Sequence, residues 1–529
     1  MKKFRNCCFR FAAVTGTAIF LVLTACSWYQ TKTLRVGENL ENNRDAVWQT
    51  IVIFIAVSIL ALAVAGMERF LSERLLHATA VVLSFGIAAA GFVLLNSVCT
   101  YAVADQWYVY EAARRMADGS FDVQEYAGYY LMCPYQLELA QIYKLIFRIT
   151  GNCSYRTIQG FQSICAGISF YMGFRVIREL TRRRAAELFY MLLGVFFIPM
   201  YIYILFIYGE TMGICCAMTA IWCFLKYNGC TSVKSILGYG ILGAAAVTGI
   251  FQIRVALVVV WIAMLLIQIM ITIVNRKPLP LVVTVGLLLT ALCVSAVNRS
   301  AMEHEVKADL SHAMPAVMSI AMGLQEGSDP AKGPGSFNSY NWSVFAQVDH
   351  DVQTASDIAT EYIGNRLVEL AGNPGEAIAF FGRKMMNQWN EPTYGCFIMT
   401  CFYDEMDDWL QGVYYGKGND MCLWFLNEYQ AVVYLAVLLG FVRLTGGRRE
   451  PQEYLIGVIL IGEFLFSLIW EAKSRYVYPY MVIMIPFAAY SLAHCGDLII
   501  MKGKGLCSKV RRRFAGKKEQ VRSSGSELM

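Results

Sequence analysis

The feature that most constrains this chain is a series of apolar blocks of about 20 residues, each long enough to cross the roughly 30 Å hydrocarbon core of a bilayer as a helix. Backbone polar groups in lipid have to be paired within their own segment, so the blocks are predicted to be α-helices. The 529 residues are 57% hydrophobic and only 16% charged, which is too apolar for a soluble fold. These features exclude a soluble enzyme, a disordered chain and a nucleic-acid-binding domain.

Twelve such blocks predict an all-α polytopic membrane protein with about twelve transmembrane helices. Their approximate bounds are 10–27, 47–66, 77–97, 158–178, 185–205, 208–228, 235–251, 255–275, 279–297, 425–444, 453–470 and 476–495. When the spans are followed in order, the loops rich in Lys and Arg all fall on one side, which the positive-inside rule assigns to the cytoplasm. We therefore predict a multi-pass plasma-membrane protein with both termini cytoplasmic.

This topology divides the chain into six regions. They are the first three spans (1–97), a first extracytoplasmic loop with interfacial helices (98–157), spans four to nine (158–297), a large α-rich extracytoplasmic domain (298–424), the last three spans (425–495) and a basic cytoplasmic tail (496–529). Such a tail suits contact with anionic membrane lipids. It is short and tethered to the membrane, which argues against a nucleic-acid partner. Within the exterior domain we expect a helix over 352–370 and a turn with exposed aromatic residues over 389–394.

Cysteine usage leaves two alternatives open. Cys26 follows a basic start and an apolar stretch, as the lipidated cysteine of a lipoprotein would, although an uncleaved anchor helix is the simpler interpretation. Disulfides are another option for the exterior cysteines, which are Cys133, Cys153, Cys396, Cys401 and Cys422. Their connectivity does not follow from the sequence.

The first exterior loop opens with an acid and a helical pattern. Apolar or aromatic residues recur at one helical face, and a glycine ends the pattern: Trp107, Tyr110, Ala113, Ala117 and Gly119. This predicts an amphipathic helix lying on the outer leaflet. Asp105 stands where the chain leaves the third span, and a partly desolvated carboxylate is suited to proton transfer. An N-cap of the interfacial helix is the alternative role, since Asp is a favoured cap.

A tyrosine-rich segment follows, from Tyr126 to Gln136, with a turn fixed by Pro134. Tyrosine combines a flat apolar face with a hydroxyl group, so such clusters stack on sugar rings and also line headgroup regions. The segment is a candidate wall of a binding pocket, with Tyr130, Tyr135 and Gln136 as its candidate contact residues.

The order of these features resembles the GT-C-type glycosyltransferases, and more narrowly the bacterial relatives of protein O-mannosyltransferases and of the lipid A aminoarabinose transferase. Three shared elements lie early in the chain: an acid outside an early span, an interfacial helix, and a Tyr-x-x-x-Pro-Tyr-Gln segment that ends at Gln136. A fourth lies near the C-terminus, where Glu471-Ala472-Lys473-Ser474-Arg475-Tyr476-Val477-Tyr478-Pro479 is similar to a Glu-x-x-x-Arg-Tyr-x-x-Pro element. The segment Met322–Gly327, with the glycines and asparagine after it, also resembles the outer domain of some members. The resemblance covers most of the chain loosely, and order and spacing carry it.

One departure concerns the first motif. Many members of the family have Asp-Glu there, whereas this chain has Asp105-Gln106. The first acid is retained and the second is an amide, which removes a second carboxylate from any role at this position.

The resemblance implies a sugar donor carried on a polyprenyl phosphate and an acceptor glycan, lipid or protein of the cell envelope, with an extracytoplasmic active site. Asp105 is then the base. Arg475, Lys473 and Arg254, all near the outer face, are candidates for binding the phosphate, with snorkelling to the interface as the alternative for each. Glu210 is a candidate to bind the acceptor or to pair with a cation. No cofactor is implied, and no metal-ligand spacing is present.

Glu463 lies inside a predicted span, where a carboxylate is costly without a partner, and the sequence names none. Three other functions remain open. An O-antigen-type polysaccharide polymerase also has about twelve spans and a late exterior loop. A transporter or flippase of lipid-linked glycans predicts charges near the bilayer midplane and an internal repeat. A non-catalytic scaffold would leave the tyrosines and outer cations without a chemical role.

Overall fold

The computed structural model describes residues 2–35, 39–130, 132–327, 329, 331–446 and 449–496. The basic tail predicted over 496–529 therefore lies outside the described residues, except for Gly496. The described chain is built from helices, with two small two-stranded sheets at one end of the helical bundle.

The helices have the following bounds in chain order. In the first half they are α1 (Lys2–Tyr29), α2 (Val47–Met67), α3 (Glu73–Ser97), α4 (Asp105–Asp118), α5 (Ala127–Tyr130), α6 (Gln136–Thr150), α7 (Tyr155–Thr181), α8 (Arg184–Val195), α9 (Pro199–Ile202), α10 (Glu210–Gly229) and α11 (Val233–Ile253). In the second half they are α12 (Val258–Asn275), α13 (Leu279–Val306), α14 (Ala316–Gly323), α15 (Tyr340–Gln347), α16 (Val352–Gly372), α17 (Pro374–Trp389), α18 (Cys396–Met399), α19 (Asp408–Tyr415), α20 (Lys417–Thr445), α21 (Leu455–Ile469) and α22 (Ser474–Gly496). The strands are β1 (Gln30–Arg35), β2 (Asn39–Arg44), β3 (Val98–Thr100) and β4 (Tyr403–Met406).

Nine helices of the described chain are long and apolar enough to cross a membrane, namely α1, α2, α3, α11, α12, α13, α20, α21 and α22. Helices α8 and α9 form a tenth candidate that is bent by 56° at the break between them. The remaining two predicted spans, 158–178 and 208–228, lie in α7 and α10, which are helical but do not pass the same test of length and hydropathy. The membrane class is confirmed, and the count of twelve stays a prediction.

The loops between the spans separate into two groups by their mutual contacts. At one end, β3 pairs antiparallel with β4, so the two long segments that the sequence predicts to be exterior are joined. The β1–β2 hairpin lies at the same end, since the Leu40 amide donates a hydrogen bond to the Ala331 carbonyl of the second segment. At the other end Arg183 pairs with Glu68, and Arg178 pairs with Glu73, each at 3.0 Å. The loops predicted to share a side are therefore neighbours, which agrees with the predicted threading.

The predicted interfacial helix is present as α4 and ends at Gly119 in the left-handed conformation. Its buried face differs from the predicted one. Gln106, Val109, Ala112, Ala113 and Met116 are buried, whereas Trp107 is 40% exposed. The prediction followed the aromatic residues, but the small and aliphatic residues at helical spacing let α4 pack closely against α6.

The exterior segment 298–424 is largely helical, as predicted, and α16 contains the expected helix over 352–370. The expectation of exposed aromatic residues over 389–394 was wrong. Trp389 is fully buried and its indole donates to Ser467, and Tyr394 is buried and accepts from Gln430. This turn connects the exterior domain to the membrane helices because its rings fill the space between them.

Cys26 lies within the continuous helix α1. The exterior cysteines considered for disulfides are all free thiols in the structure. The two small sheets were not predicted, since their strands are short and have no clear alternation of apolar and polar residues.

Candidate active site

A break in the helical bundle places the candidate site. After α9 and a short 3-10 turn at Tyr203–Leu205, the chain runs without helix until α10 begins at Glu210. Gly209 has φ of +90°, and a Cβ there would lie 2.7 Å from the Ile253 carbonyl oxygen, so only glycine fits. The break brings Tyr208 and Glu210 to the end of the bundle that carries the exterior segments.

Three glutamines satisfy the backbone of this buried break. Gln159 donates to the Leu205 carbonyl, and Gln162 donates to the Ile204 and Phe206 carbonyls. Gln106 accepts from the Ile207 amide at 3.0 Å. Buried backbone groups outside regular structure need such partners. The amide oxygen at position 106 therefore has a structural role.

Asp105 is the first residue of α4, and its carboxylate is held by two tyrosines. The Tyr129 hydroxyl donates to Oδ1 at 3.0 Å, and the Tyr208 hydroxyl donates to Oδ2 at 3.1 Å. Burial raises the pKa of the Tyr129 phenol, so this group stays protonated and remains a donor. The N-cap alternative for Asp105 is wrong, because Ala104 occupies that position and no side chain caps the helix.

The backbone at the start of α4 is unusual. Ala104 has φ of 49° and ψ of −133°, a conformation that residues with a Cβ rarely adopt. Strain of this kind costs roughly 1–3 kcal/mol and persists where the surroundings fix the chain, often at functional sites. Here it turns the chain from β3 into α4 and directs Asp105 toward Tyr208.

Next to this acid lies a cluster of buried charges. Glu210 is fully buried and lies 3.1 Å from the Arg254 guanidinium and 3.6 Å from the Arg475 guanidinium. Arg475 is buried and Arg254 is partly exposed. Glu210 is therefore a partner of cations, as one of its two predicted roles required, and is not on the surface.

Tyr208 connects the acid to the cations. Its hydroxyl donates to Asp105, and its ring faces both guanidiniums, with centroid distances of 5.6 Å to Arg254 and 5.2 Å to Arg475. Gln136 donates to the same hydroxyl from the start of α6. A carboxylate, an amide and two guanidiniums thus meet at one side chain. Tyr208 is not among the site residues predicted from the sequence.

Lys473 lies at the rim of the same cluster. Its ammonium is 3.3 Å from Glu471 and lies over the Phe337 ring of the exterior domain. Tyr476 donates to Glu471 at 3.0 Å and its ring is within 5.6 Å of the Arg254 guanidinium. The residues just before and at the start of α22 therefore supply a partly exposed cation, a buried cation and an aromatic ring to one site.

The predicted tyrosines divide into two groups. Tyr130 is 1% exposed and donates to the Tyr108 carbonyl, so it supports the local fold and does not face the site. Tyr135 is 54% exposed and lies within electrostatic range of Asp105. Tyr129, which stacks on Tyr108 at 3.9 Å, is the residue that contacts the acid. The helical phase of α5 decides this, and the sequence did not reveal it.

A buried lysine fixes the connection that leads into α22. Lys384 of α17 is fully buried and donates to the carbonyls of Gly323, Leu468 and Trp470. Burial lowers the pKa of its ammonium to about 7, with Glu471 acting in the opposite direction. The Ala472 amide donates to the Gly335 carbonyl. The glycine-rich segment singled out in the sequence thus packs against the residues that precede Lys473.

Glu463 of α21 has a partner that the sequence did not name. Its carboxylate contacts the Tyr480 hydroxyl, and Arg254 lies within electrostatic range. Tyr480 also donates to the Ala256 carbonyl at 2.8 Å. Among the described residues no group of three or more His, Cys, Asp or Glu side chains could hold a metal ion.

The bundle of long apolar helices and its polar, charged end define a multi-pass integral membrane protein. A family model described as a conserved hypothetical integral membrane protein matches residues 8–495, and the chain belongs to that family. No curated protein matches the chain, and no solved structure matches it.

Proposed function

We propose that this protein is a membrane-embedded GT-C-type glycosyltransferase that moves a sugar from a polyprenyl-phosphate donor to an acceptor of the cell envelope. One observation carries the proposal: Asp105, Arg254 and Arg475 all contact Tyr208. A base for the acceptor and cations for a phosphate leaving group are the two requirements of this transfer. A scaffold protein has no need to place two guanidiniums and an acid around one tyrosine.

The proposed reaction uses these groups in separate roles. The acceptor oxygen or nitrogen forms a bond to the anomeric carbon, while the bond from that carbon to the phosphate oxygen breaks. Asp105 takes the proton from the acceptor, and each carboxylate oxygen keeps a free lone pair beside its tyrosine hydrogen bond. Arg475 and Arg254 stabilise the negative charge on the departing polyprenyl phosphate. The resemblance implies inversion at the anomeric carbon.

We expect the exterior domain to contact the acceptor. Trp342 of α15 lies 6.0 Å from the Tyr129 ring, and Phe337 lies against Lys473. Exterior loops often determine which ligand is accepted. We assign the site to the outer face of the plasma membrane, with both termini in the cytoplasm, on the positive-inside pattern.

The test compares Asp105→Asn with wild type in lipid nanodiscs, using radiolabelled polyprenyl-phosphate sugars and cell-envelope extract as acceptor. The variant should lose at least about 100-fold in rate, as expected for the loss of a general base. Asp122→Asn is the matched control, since Asp122 is an exposed acid of the same loop whose carboxylate caps only the Gln124 amide. Equal folding of all three proteins is checked by circular dichroism.

Three results would contradict the proposal. Equal transfer by Asp105→Asn and wild type would remove Asp105 from the reaction. Absence of transfer by wild type, together with movement of lipid-linked glycans across vesicles, would identify a transporter. Formation of a ladder of long glycan products would instead favour the polymerase.

A further inference from the structure

The end of the bundle opposite the candidate active site contains a polar cavity. It has a volume of about 530 Å³. Its lining residues come from four helices: Glu73 and His77 of α3, Arg175, Arg178, Glu179 and Arg182 of α7, Glu187 of α8 and Lys226 of α10. The volume is in the range of small-molecule sites. None of these residues takes part in the proposed transfer.

Helix α7 fixes the distance between the two sites. Tyr155, its first residue, donates to Gln106 at 2.8 Å beside the candidate active site. Arg175 lies 20 residues further along, which corresponds to about 30 Å of helix and thus to the hydrocarbon thickness of a bilayer. The cavity therefore faces the other side of the membrane, which the distribution of Lys and Arg predicts to be the cytoplasm.

Most charges in the cavity are paired with one another. Arg178 lies 3.0 Å from Glu73 and 3.4 Å from Glu187, and Lys226 lies 3.1 Å from Glu179. These pairs account for all three carboxylates of the lining. The cavity has four cations in total, so one positive charge is left in excess with His77 neutral.

Two arginines have no carboxylate partner within the described part of the chain. Arg175 is held by aromatic groups, with its guanidinium 4.9 Å from the Trp222 ring and one N–H donating to the Tyr171 hydroxyl. Arg182 is exposed at the end of α7, in the left-handed conformation. Both line the cavity. Each guanidinium is a planar, charged group whose remaining N–H donors are of the kind that binds phosphate.

We propose that this cavity binds an anion that carries a phosphate group, on the membrane face opposite the candidate active site. Arg175 and Arg182 are its principal ligands, and Arg178 and Lys226 add positive charge at the wall. The same chemistry is offered by the headgroup of an anionic lipid in the adjacent leaflet and by a phosphorylated compound in the aqueous phase. The proposal does not depend on glycosyl transfer.

The test measures binding by the full chain in nanodiscs. Calorimetric titration with inorganic pyrophosphate in nanodiscs of neutral phosphatidylcholine probes the aqueous source. Native mass spectrometry of protein from nanodiscs with phosphatidylglycerol, counting retained lipids, probes the headgroup source. We expect Arg175→Gln and Arg182→Gln each to weaken binding of one probe at least about tenfold, by loss of a charge-assisted contact.

Arg276→Gln is the matched control. Arg276 also ends a helix in the left-handed conformation, is exposed at the same face, and does not line the cavity. Its substitution should leave binding unchanged. Loss of pyrophosphate binding identifies an aqueous ligand, and loss of lipid retention identifies a headgroup.

The proposal is overturned if neither probe binds wild type, or if Arg182→Gln and Arg276→Gln bind equally. Arg182 is exposed, so its variant keeps the test decisive should Arg175→Gln fail to fold.

Discussion

Replacing Glu210 by Gln tests the charge cluster of the candidate site directly. The substitution keeps the shape of the side chain and removes the negative charge between two guanidiniums, at 3.1 and 3.6 Å. With an effective dielectric constant of about 20, unit charges at these distances attract by about 5 kcal/mol each. The desolvation of the ions offsets much of this attraction in the folded protein, and removing one partner leaves the others uncompensated. We expect the free energy of unfolding to fall by about 3–5 kcal/mol.

The assay is unfolding in mixed micelles titrated with sodium dodecyl sulfate and followed by near-ultraviolet circular dichroism. Glu303→Gln is the control, because Glu303 pairs with Arg299 at 3.4 Å with both side chains exposed by a third or more. Such surface pairs contribute at most about 1 kcal/mol. If Glu210→Gln is no more destabilising than Glu303→Gln, the carboxylate does not hold the two guanidiniums, and the argument for a buried cationic site fails.

Three further predictions concern stability, each measured by the same titration. Burial holds the pKa of Lys384 at about 7, below its ordinary 10.5, so between these pH values the unfolded chain binds more protons than the folded chain. The stability of wild type should therefore rise with pH over this interval, and it should rise by more than the stability of Lys384→Met does. Burial raises the pKa of Glu138 from 4.5 to about 7, so between these pH values the folded chain binds more protons than the unfolded chain. The stability of wild type should therefore fall as the pH rises through this interval, and Glu138→Gln should make the decline smaller. In Gly323→Ala the new Cβ would lie within 2.6 Å of the Trp470 backbone, and this clash should lower the free energy of unfolding by about 1–3 kcal/mol. Gly364 lies on a helix with open space around it, so Gly364→Ala should raise the free energy of unfolding by about 0.5–1 kcal/mol. If wild type and variant have parallel stability–pH profiles, the corresponding pKa prediction is wrong. If the two alanine substitutions change stability equally, the prediction for Gly323 is wrong.

The sequence predicted the lipid-facing helices well because length and hydropathy determine them. The predicted span 255–275 coincides with a candidate membrane span of the structure, and 47–66 differs from α2 by one residue at its end. Prediction was weaker for α7, whose glutamines hold the break near Tyr208 and reduce its hydropathy. A helix that is surrounded by other helices can carry polar residues, because their side chains form hydrogen bonds within the protein. A test based on hydropathy therefore identifies such helices poorly.

The candidate site was predictable residue by residue but not as an arrangement. Asp105, Arg254 and Arg475 could each be identified from their position at a span end, since charges there are unusual. All three residues contact Tyr208 because of the non-helical break and because segments 370 residues apart pack together. No local sequence pattern encodes these contacts. The choice of Tyr129 over Tyr130 likewise depends on which side of a single helical turn faces the acid.

The pairing of β3 with β4 has a consequence for biosynthesis. Val98 pairs with Met406, so roughly 300 residues, at about 5–20 residues per second, have to be synthesised before β3 meets its partner. For a period on the order of 15–60 s, the turn that presents Asp105 lacks the strand that anchors it. An unpaired strand edge is prone to wrong association, and a strand of only three residues limits that risk. Assembly of the candidate site is therefore a late event, which follows synthesis of the segment that carries β4 and of the last helices.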